Sequence, residues 1–170
     1  DLHSFPTRRS SDLSFDVFVK FIQSITLRNL LKIANGYLHD MFPRYEMVAA
    51  KETLDIMLID HDNSDAIRPI KNISGGEGFI VSLSLALGIS TIASQNVSID
   101  SLFLDEGFGT LDTKMLQETV VVLQKMQQER GKLLGVITHL DLVKNELQTH
   151  IEVTPRGGRS FLSGAGVSKG

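Results

Sequence analysis

Ser101-Leu102-Phe103-Leu104-Asp105-Glu106-Gly107-Phe108-Gly109-Thr110-Leu111-Asp112 packs an apolar run, an acidic stop and a glycine turn into one short stretch. An apolar run that ends abruptly in two carboxylates suits a strand buried on both faces. Gly107-Phe108-Gly109 turns the chain, and Thr113 to Arg130 reads as a helix with Leu116, Val120, Leu123 and Gln127 on one side. Leu133 to Thr138 is a second run expected to be buried, ending at His139. Strand, helix and strand in that order predict an α/β arrangement, a parallel sheet with crossover helices.

Upstream, Phe18, Phe21, Ile22, Ile25, Leu27, Leu30, Leu31, Ile33, Ala34 and Leu38 recur at threes and fours. They predict one long helix from Phe15 to about Met41, stopped near Pro43. Tyr45–Ala49 and Leu54–Asp60, on either side of Lys51-Glu52, read as a β-hairpin. His61 to Asp65 is a turn cluster, and Ile67 to Ile73 is extended around Pro69. Ser74-Gly75-Gly76-Glu77 opens a helix to about Ser94 with capping-box spacing. A short helix at Leu140–Leu147 precedes a terminal strand at Ile151–Val153, paired with Ser160–Leu162. Residues 1–13 show neither helical nor strand periodicity and resemble translated sequencing-adapter sequence, so they are read as a foreign or disordered leader. The rest divides into a helix at 14–43, a lobe at 44–163 and a flexible tail at 164–170.

At 170 residues the chain has the size of one domain, and 42% apolar residues suffice for a core without staples. Its lack of cysteine removes disulfides, thiolate metal sites and cysteine nucleophiles, and fits a reducing, cytoplasmic setting. A net charge of −3 argues against coating nucleic acid by bulk charge. The longest apolar run, Phe79–Ala93, is interrupted by Ser82, Ser84, Gly88, Ser90 and Thr91, short of the roughly 20 unbroken apolar residues of a membrane span. No membrane partner is expected.

Each candidate site residue carries two readings. Asp105 at a strand's carboxyl end suits a magnesium ion, which takes one or two carboxylates plus phosphate oxygens. Glu106 beside it suits the orientation or deprotonation of an attacking water. Otherwise the two are a solvated acidic strand end. Gly75 and Gly76 let backbone amides approach an anion at a helix N-terminus, with the Ser74 hydroxyl added and Glu77 reaching back. The same tetrapeptide is also an ordinary capping box. His139 either donates to a terminal phosphate or is merely solvated, and Asp112 either bridges two sites or caps the next helix.

Taken in order, these features resemble ABC-type ATPases: Ser74 to Glu77 the signature motif, Leu102 to Glu106 Walker B, Leu111-Asp112 the D-loop, His139 the switch histidine. Asp105 to Asp112, with Gly107 where transporters carry proline, is similar to the SbcC type of SMC-like ATPase head. Arg44-Tyr45-Glu46 resembles the point where the returning coiled coil enters that head. Gly78, in place of a small hydroxyl residue, and Ile73, in place of leucine, are mild departures. No G-x-x-x-x-G-K followed by Ser or Thr occurs in the chain. The resemblance therefore implies the C-terminal lobe of an ABC/SMC-type P-loop ATPase head, completed by an N-terminal lobe that carries Walker A. It further implies ATP and Mg2+ as cofactors, a homodimer sandwiching ATP, an SbcD-like metallo-nuclease partner and action on double-stranded DNA ends in repair. The catalytic roles fall to Glu106 and His139, metal binding to Asp105, and nucleotide contact to Ser74, Gly75, Gly76, Glu77 and Asp112. Alone, the chain is expected to hydrolyse no ATP. Another SMC or ABC head, or a non-hydrolysing binding module, is the alternative reading.

Overall fold

The threes-and-fours spacing upstream builds α1 (Ser10–Met41), 32 residues long, in a computed structural model that describes residues 10–50, 53–94, 101–130, 133–147 and 149–167. The helix is already formed ahead of Phe15, since propagation adds one hydrogen bond per residue and requires no apolar contact. Its apolar residues divide by position. Leu31, Ala34, Tyr37, Leu38 and Met41 are buried, whereas Phe15, Phe18, Phe21, Ile22 and Ile25 stand exposed.

The chain forms two compact units, Asp1–Ile99 and Asp100–Gly170. In the first, β1 (Tyr45–Ala49), β2 (Ile56–Asp60) and β3 (Ala66–Pro69) make an antiparallel sheet in that order. The expected hairpin is therefore the first two strands of three, while Lys51 and Glu52 at its tip lie outside the described residues. The extended segment expected to reach Ile73 stops at Pro69, where Ile70–Asn72 forms a 3-10 turn. At the outer edge of β1, Met47 is satisfied from α1: the Asn35 amide donates to the Met47 carbonyl and accepts from its N–H, both at 2.8 Å.

Helix α2 (Gly75–Ala93) lies against α1, burying Ile80, Val81, Leu83 and Leu87. By length and composition alone it is long and apolar enough to cross a membrane, despite its interrupting hydroxyls. Two of those hydroxyls are absorbed locally: Ser84 Oγ donates to the Ile80 carbonyl at 2.8 Å and Thr91 Oγ1 to the Leu87 carbonyl at 2.9 Å. Gly88 sets how closely the helices approach. A Cβ there would sit 3.1 Å from both Ala34 Cβ and Leu30 Cδ1 and 3.3 Å from Ala34 Cα, and backbone cannot yield as a side-chain tip does. Gly88→Val is expected to lower stability by about 1–3 kcal/mol through overpacking, read as a lower urea midpoint for this chain.

In the second unit, β4 (Ser101–Asp105) and β5 (Leu133–Ile137) pair in parallel, joined by the crossover helix α3 (Thr113–Arg130). Phe103 faces Gly135 in register, where a Cβ would overlap the Phe103 ring. Phe108, Leu116, Val120, Leu123 and Val143 form this unit's core, Val143 coming from α4 (Asp141–Glu146). One expectation fails here. Neither strand is buried on both faces: Phe103 is 65% exposed, Leu133 and Ile137 are exposed, and Leu102 and Leu104 only half-buried. A two-stranded sheet covered by one crossover helix keeps an open face among the described residues. β6 (Ile151–Arg156) and β7 (Arg159–Gly164) form an antiparallel hairpin, longer than the expected pair and exposed throughout.

Candidate functional site

Ser74 is the N-cap of α2, and the capping box is complete. Ser74 Oγ accepts from the Glu77 N–H at 3.2 Å, and Glu77 Oε2 accepts from the Ser74 N–H at 2.8 Å. Gly75 and Gly76 occupy the first two helical positions, whose amides have no intrahelical acceptor. The hydroxyl of Ser74 accepts and so keeps its own hydrogen to donate.

The other oxygen of Glu77 is bound from the sheet. Oε1 accepts from the Tyr45 hydroxyl and from Arg68 Nη2, each at 2.8 Å. Tyr45 lies opposite Asp60, Asp60 opposite Ala66, and Arg68 two residues further, so these side chains share one face. Asp60, nearly fully buried, accepts from Arg44 Nε at 3.1 Å and Nη2 at 2.7 Å, with Arg68 Nη2 3.6 Å away. The Arg44 guanidinium also lies 4.6 Å from the centre of the Tyr45 ring.

The electrostatics follow from these contacts. Burial pushes the Glu77 carboxyl up, but hydrogen bonds from Arg68, the Ser74 amide and Tyr45 overrule it and hold it at about 2. Burial and the bond to ionised Glu77 push the Tyr45 hydroxyl up to about 12. The Asp60 carboxyl lies below its usual range because Arg44 hydrogen-bonds its charged form, against the opposing effect of burial.

In the second unit the parallel register ends Asp105 opposite Ile137, and the Glu106 N–H donates to the Ile137 carbonyl at 3.0 Å. Glu106 has φ of 58°, in the left-handed region that non-glycine residues rarely occupy, and Gly107 follows at 91°. The reversal brings Glu106 Oε1 to 3.3 Å from His139 Nδ1, just beyond β5. An ionised carboxylate only accepts, so the ring nitrogen is the donor. Both side chains are exposed, at 59% and 72%. Asp105 is exposed at the same strand end. Among the described residues no three His, Cys, Asp or Glu side chains converge on one point. A single Asp105 carboxylate still suits magnesium, which completes its shell with phosphate oxygens and water.

A family model described as SbcC/RAD50-like, Walker B motif, matches residues 46–125, spanning both Ser74–Glu77 and Asp105–Asp112. The chain is also 40% identical, over 91% of its length, to the SbcC component of the nuclease SbcCD of Rhodobacter capsulatus. The chain belongs to the SbcC/RAD50-like family. A second relative, a probable DNA double-strand break repair Rad50 ATPase of Aquifex aeolicus, is 30% identical over 89% of this SbcC/RAD50-like chain. The chain spans only 12% and 16% of the lengths of these two relatives. Among solved structures, one from a study of ATP-driven dimerization and DNA-stimulated activation of SMC ATPases superposes with a TM-score of 0.70 at 17% identity, covering 85% of this chain and 88% of that one. The Smc head domain with a coiled coil and joint from Pyrococcus yayanosii gives 0.66 at 18% identity, over 91% of this chain and 31% of that one. The α/β head fold with a long leading helix is thus that of SMC ATPase heads.

Within the SbcC/RAD50-like chain, the structure brings Glu106 and His139 together and completes the Ser74–Glu77 capping box. Asp112 Oδ1 accepts from the Met115 N–H at 2.9 Å and caps α3. Asp112→Ala is expected to cost about 1 kcal/mol, seen as a lower urea midpoint for this chain. Sequence reasoning missed Arg68, Asp60 and the role of Tyr45. Arg68–Glu77 and Arg44–Asp60 pair across sequence separations of 9 and 16, where no local periodicity applies.

Proposed function

We propose that this chain is the C-terminal lobe of an SbcC-type ATPase head. In the full-length protein it pairs with an N-terminal lobe carrying the phosphate-binding loop, dimerises on ATP, and controls an SbcD-like metallo-nuclease acting on double-stranded DNA ends in the cytoplasm. The observation that carries this reading is the Glu106–His139 pair at the carboxyl ends of two parallel strands, where open α/β sheets place their ligands. Bound Mg-ATP would supply the transferable phosphoryl group and the charge neutralisation that makes its transfer possible.

The chain's own residues have distinct tasks in this reading. Asp105 would hold the metal, with phosphate oxygens and water completing its shell. Glu106 orients an attacking water and takes its proton, a task that an exposed, ionised carboxylate at a strand end can perform. His139 contacts the Glu106 carboxylate through Oε1; a neutral imidazole has one N–H to give, so in this reading it would donate either to Glu106 or, from the same edge, to the terminal phosphate. Ser74, with the amides of Gly75 and Gly76, offers donors to the phosphate held by a second head. Few donors and no lysine make that turn a poor nucleotide binder by itself, so it closes on nucleotide already held, and ATP shifts the population toward paired heads. Asp112, beyond its capping bond, is given by the same reading a contact between two paired heads.

A complementation assay tests this. The chain alone is expected to show no ATP turnover, and turnover is expected when the N-terminal lobe with its phosphate-binding loop is added. Turnover by the chain alone, abolished by Glu106→Gln, would overturn the division of labour.

A further inference from the structure

Two strands of the first sheet reach the carboxylate that caps the Ser74 turn, and the strand between them backs one of the two contacts. Tyr45 from β1 and Arg68 from β3 donate to Glu77 Oε1, both at 2.8 Å, and Asp60 from β2 holds Arg68 from behind at 3.6 Å. The capping box itself uses only Oε2. It would form in an isolated helix and says nothing of where that helix points relative to the sheet. Arg68 supplies that relation. Its guanidinium sits between two carboxylates, with Nε buried and without a hydrogen-bond partner among the described residues. An arginine so placed forgoes part of its hydrogen bonding to hold one particular geometry. The chain from β3 also runs through Pro69 and the Ile70–Asn72 turn directly into Ser74. The turn is thus tied to the sheet twice, covalently through β3 and non-covalently through Arg68.

We propose that Arg68 is a positioning residue for the Ser74–Glu77 turn, fixing through Glu77 Oε1 the direction in which Ser74 and the Gly75 and Gly76 amides face a terminal phosphate. This rests on the reading of that turn given above. Without Arg68 the helix stays capped, but its first turn is free to shift against the sheet. A misplacement of about 1 Å costs on the order of 100-fold in rate. Tyr45 gives the same oxygen a neutral hydrogen bond, weaker than the charge-assisted one from Arg68.

The test uses the full-length polypeptide with Mg-ATP and compares Arg68→Met, Arg68→Lys, Tyr45→Phe and Gly75→Asp. The readouts are kcat, KM, ATP affinity, ATP-driven head association and the melting curve. Arg68→Met is expected to lower kcat and head association about 10- to 100-fold with ATP affinity within about twofold. Arg68→Lys should recover part of that loss, and Tyr45→Phe should cost less than about threefold. A folded Arg68→Met with unchanged kcat overturns the proposal, as does a fall in kcat matched by equal losses of ATP affinity and folded fraction. If Arg68→Met does not fold, Arg68→Lys decides: reduced kcat at unchanged ATP affinity supports the assignment, and unchanged kcat overturns it. Gly75→Asp tests the underlying reading, because an acidic residue at the first helical position favours the helix yet repels a phosphate. Unchanged turnover in Gly75→Asp sinks the role of the turn itself. Turnover lost in Gly75→Asp but kept in both Arg68 variants sinks only the positioning role.

Discussion

In the full-length polypeptide, Glu106→Gln is expected to cut ATP turnover at least about 100-fold, the usual contribution of a positioned general base, while ATP-dependent pairing of heads persists and lengthens. Glutamine keeps the size of the side chain and can still contact His139, but it cannot take a proton from water. Stability should barely change, within about 0.5 kcal/mol, because the side chain is 59% exposed and the backbone strain at φ of 58° is common to both residues. An ATPase assay with a head-association measurement and a melting curve separates these effects. Hydrolysis at the unsubstituted rate would remove Glu106 from the role of base. A large drop in melting temperature would mean that the 3.3 Å contact to His139 is structural.

Glu77→Ala is expected to be the most destabilising single change in the first unit, at about 3 kcal/mol in a urea titration of this chain. It removes the N3 half of the capping box and leaves the Arg68 guanidinium facing only Asp60. The same carboxylate shapes the acid response. Its pKa falls from an ordinary 4.5 to about 2 on folding, so its stabilisation is fully present above pH 4.5 and is lost as pH falls toward 2. Asp60, also depressed, acts in the same direction. At the alkaline end the Tyr45 hydroxyl rises from 10.0 to about 12 on folding. Its contribution is therefore present below pH 10 and is lost as pH rises toward 12. Urea midpoints measured across both limbs should show the acid limb flattened in Glu77→Ala. An acid limb that matches the unsubstituted chain would show that Glu77 does not carry it.

The elements legible in the sequence are those whose cause is local. α1 follows from apolar spacing, the start of α2 from Ser74 and Glu77 at capping distance, and the β4–α3–β5 order from an apolar run, a glycine turn and an amphipathic stretch. Asp105, Glu106 and His139 were legible as candidates for the same reason, since the carboxyl end of a parallel strand is where such chemistry collects. The burial of β4 and β5 was misjudged. An apolar run records what a strand can bury, whereas Phe103 and Ile137 stay exposed because coverage depends on which elements surround the sheet.

The order of elements, the capping box and the acidic strand end were therefore determined by the sequence alone, because each depends on residues within about one or two turns of one another. Only the tertiary structure decided that Tyr45 and Arg68, the latter backed by Asp60, converge on Glu77, and that a left-handed Glu106 meets His139 across 33 residues of sequence. Strand register and backbone reversal set those meetings, and a register shifted by one residue would turn Arg68 and Tyr45 to the opposite face.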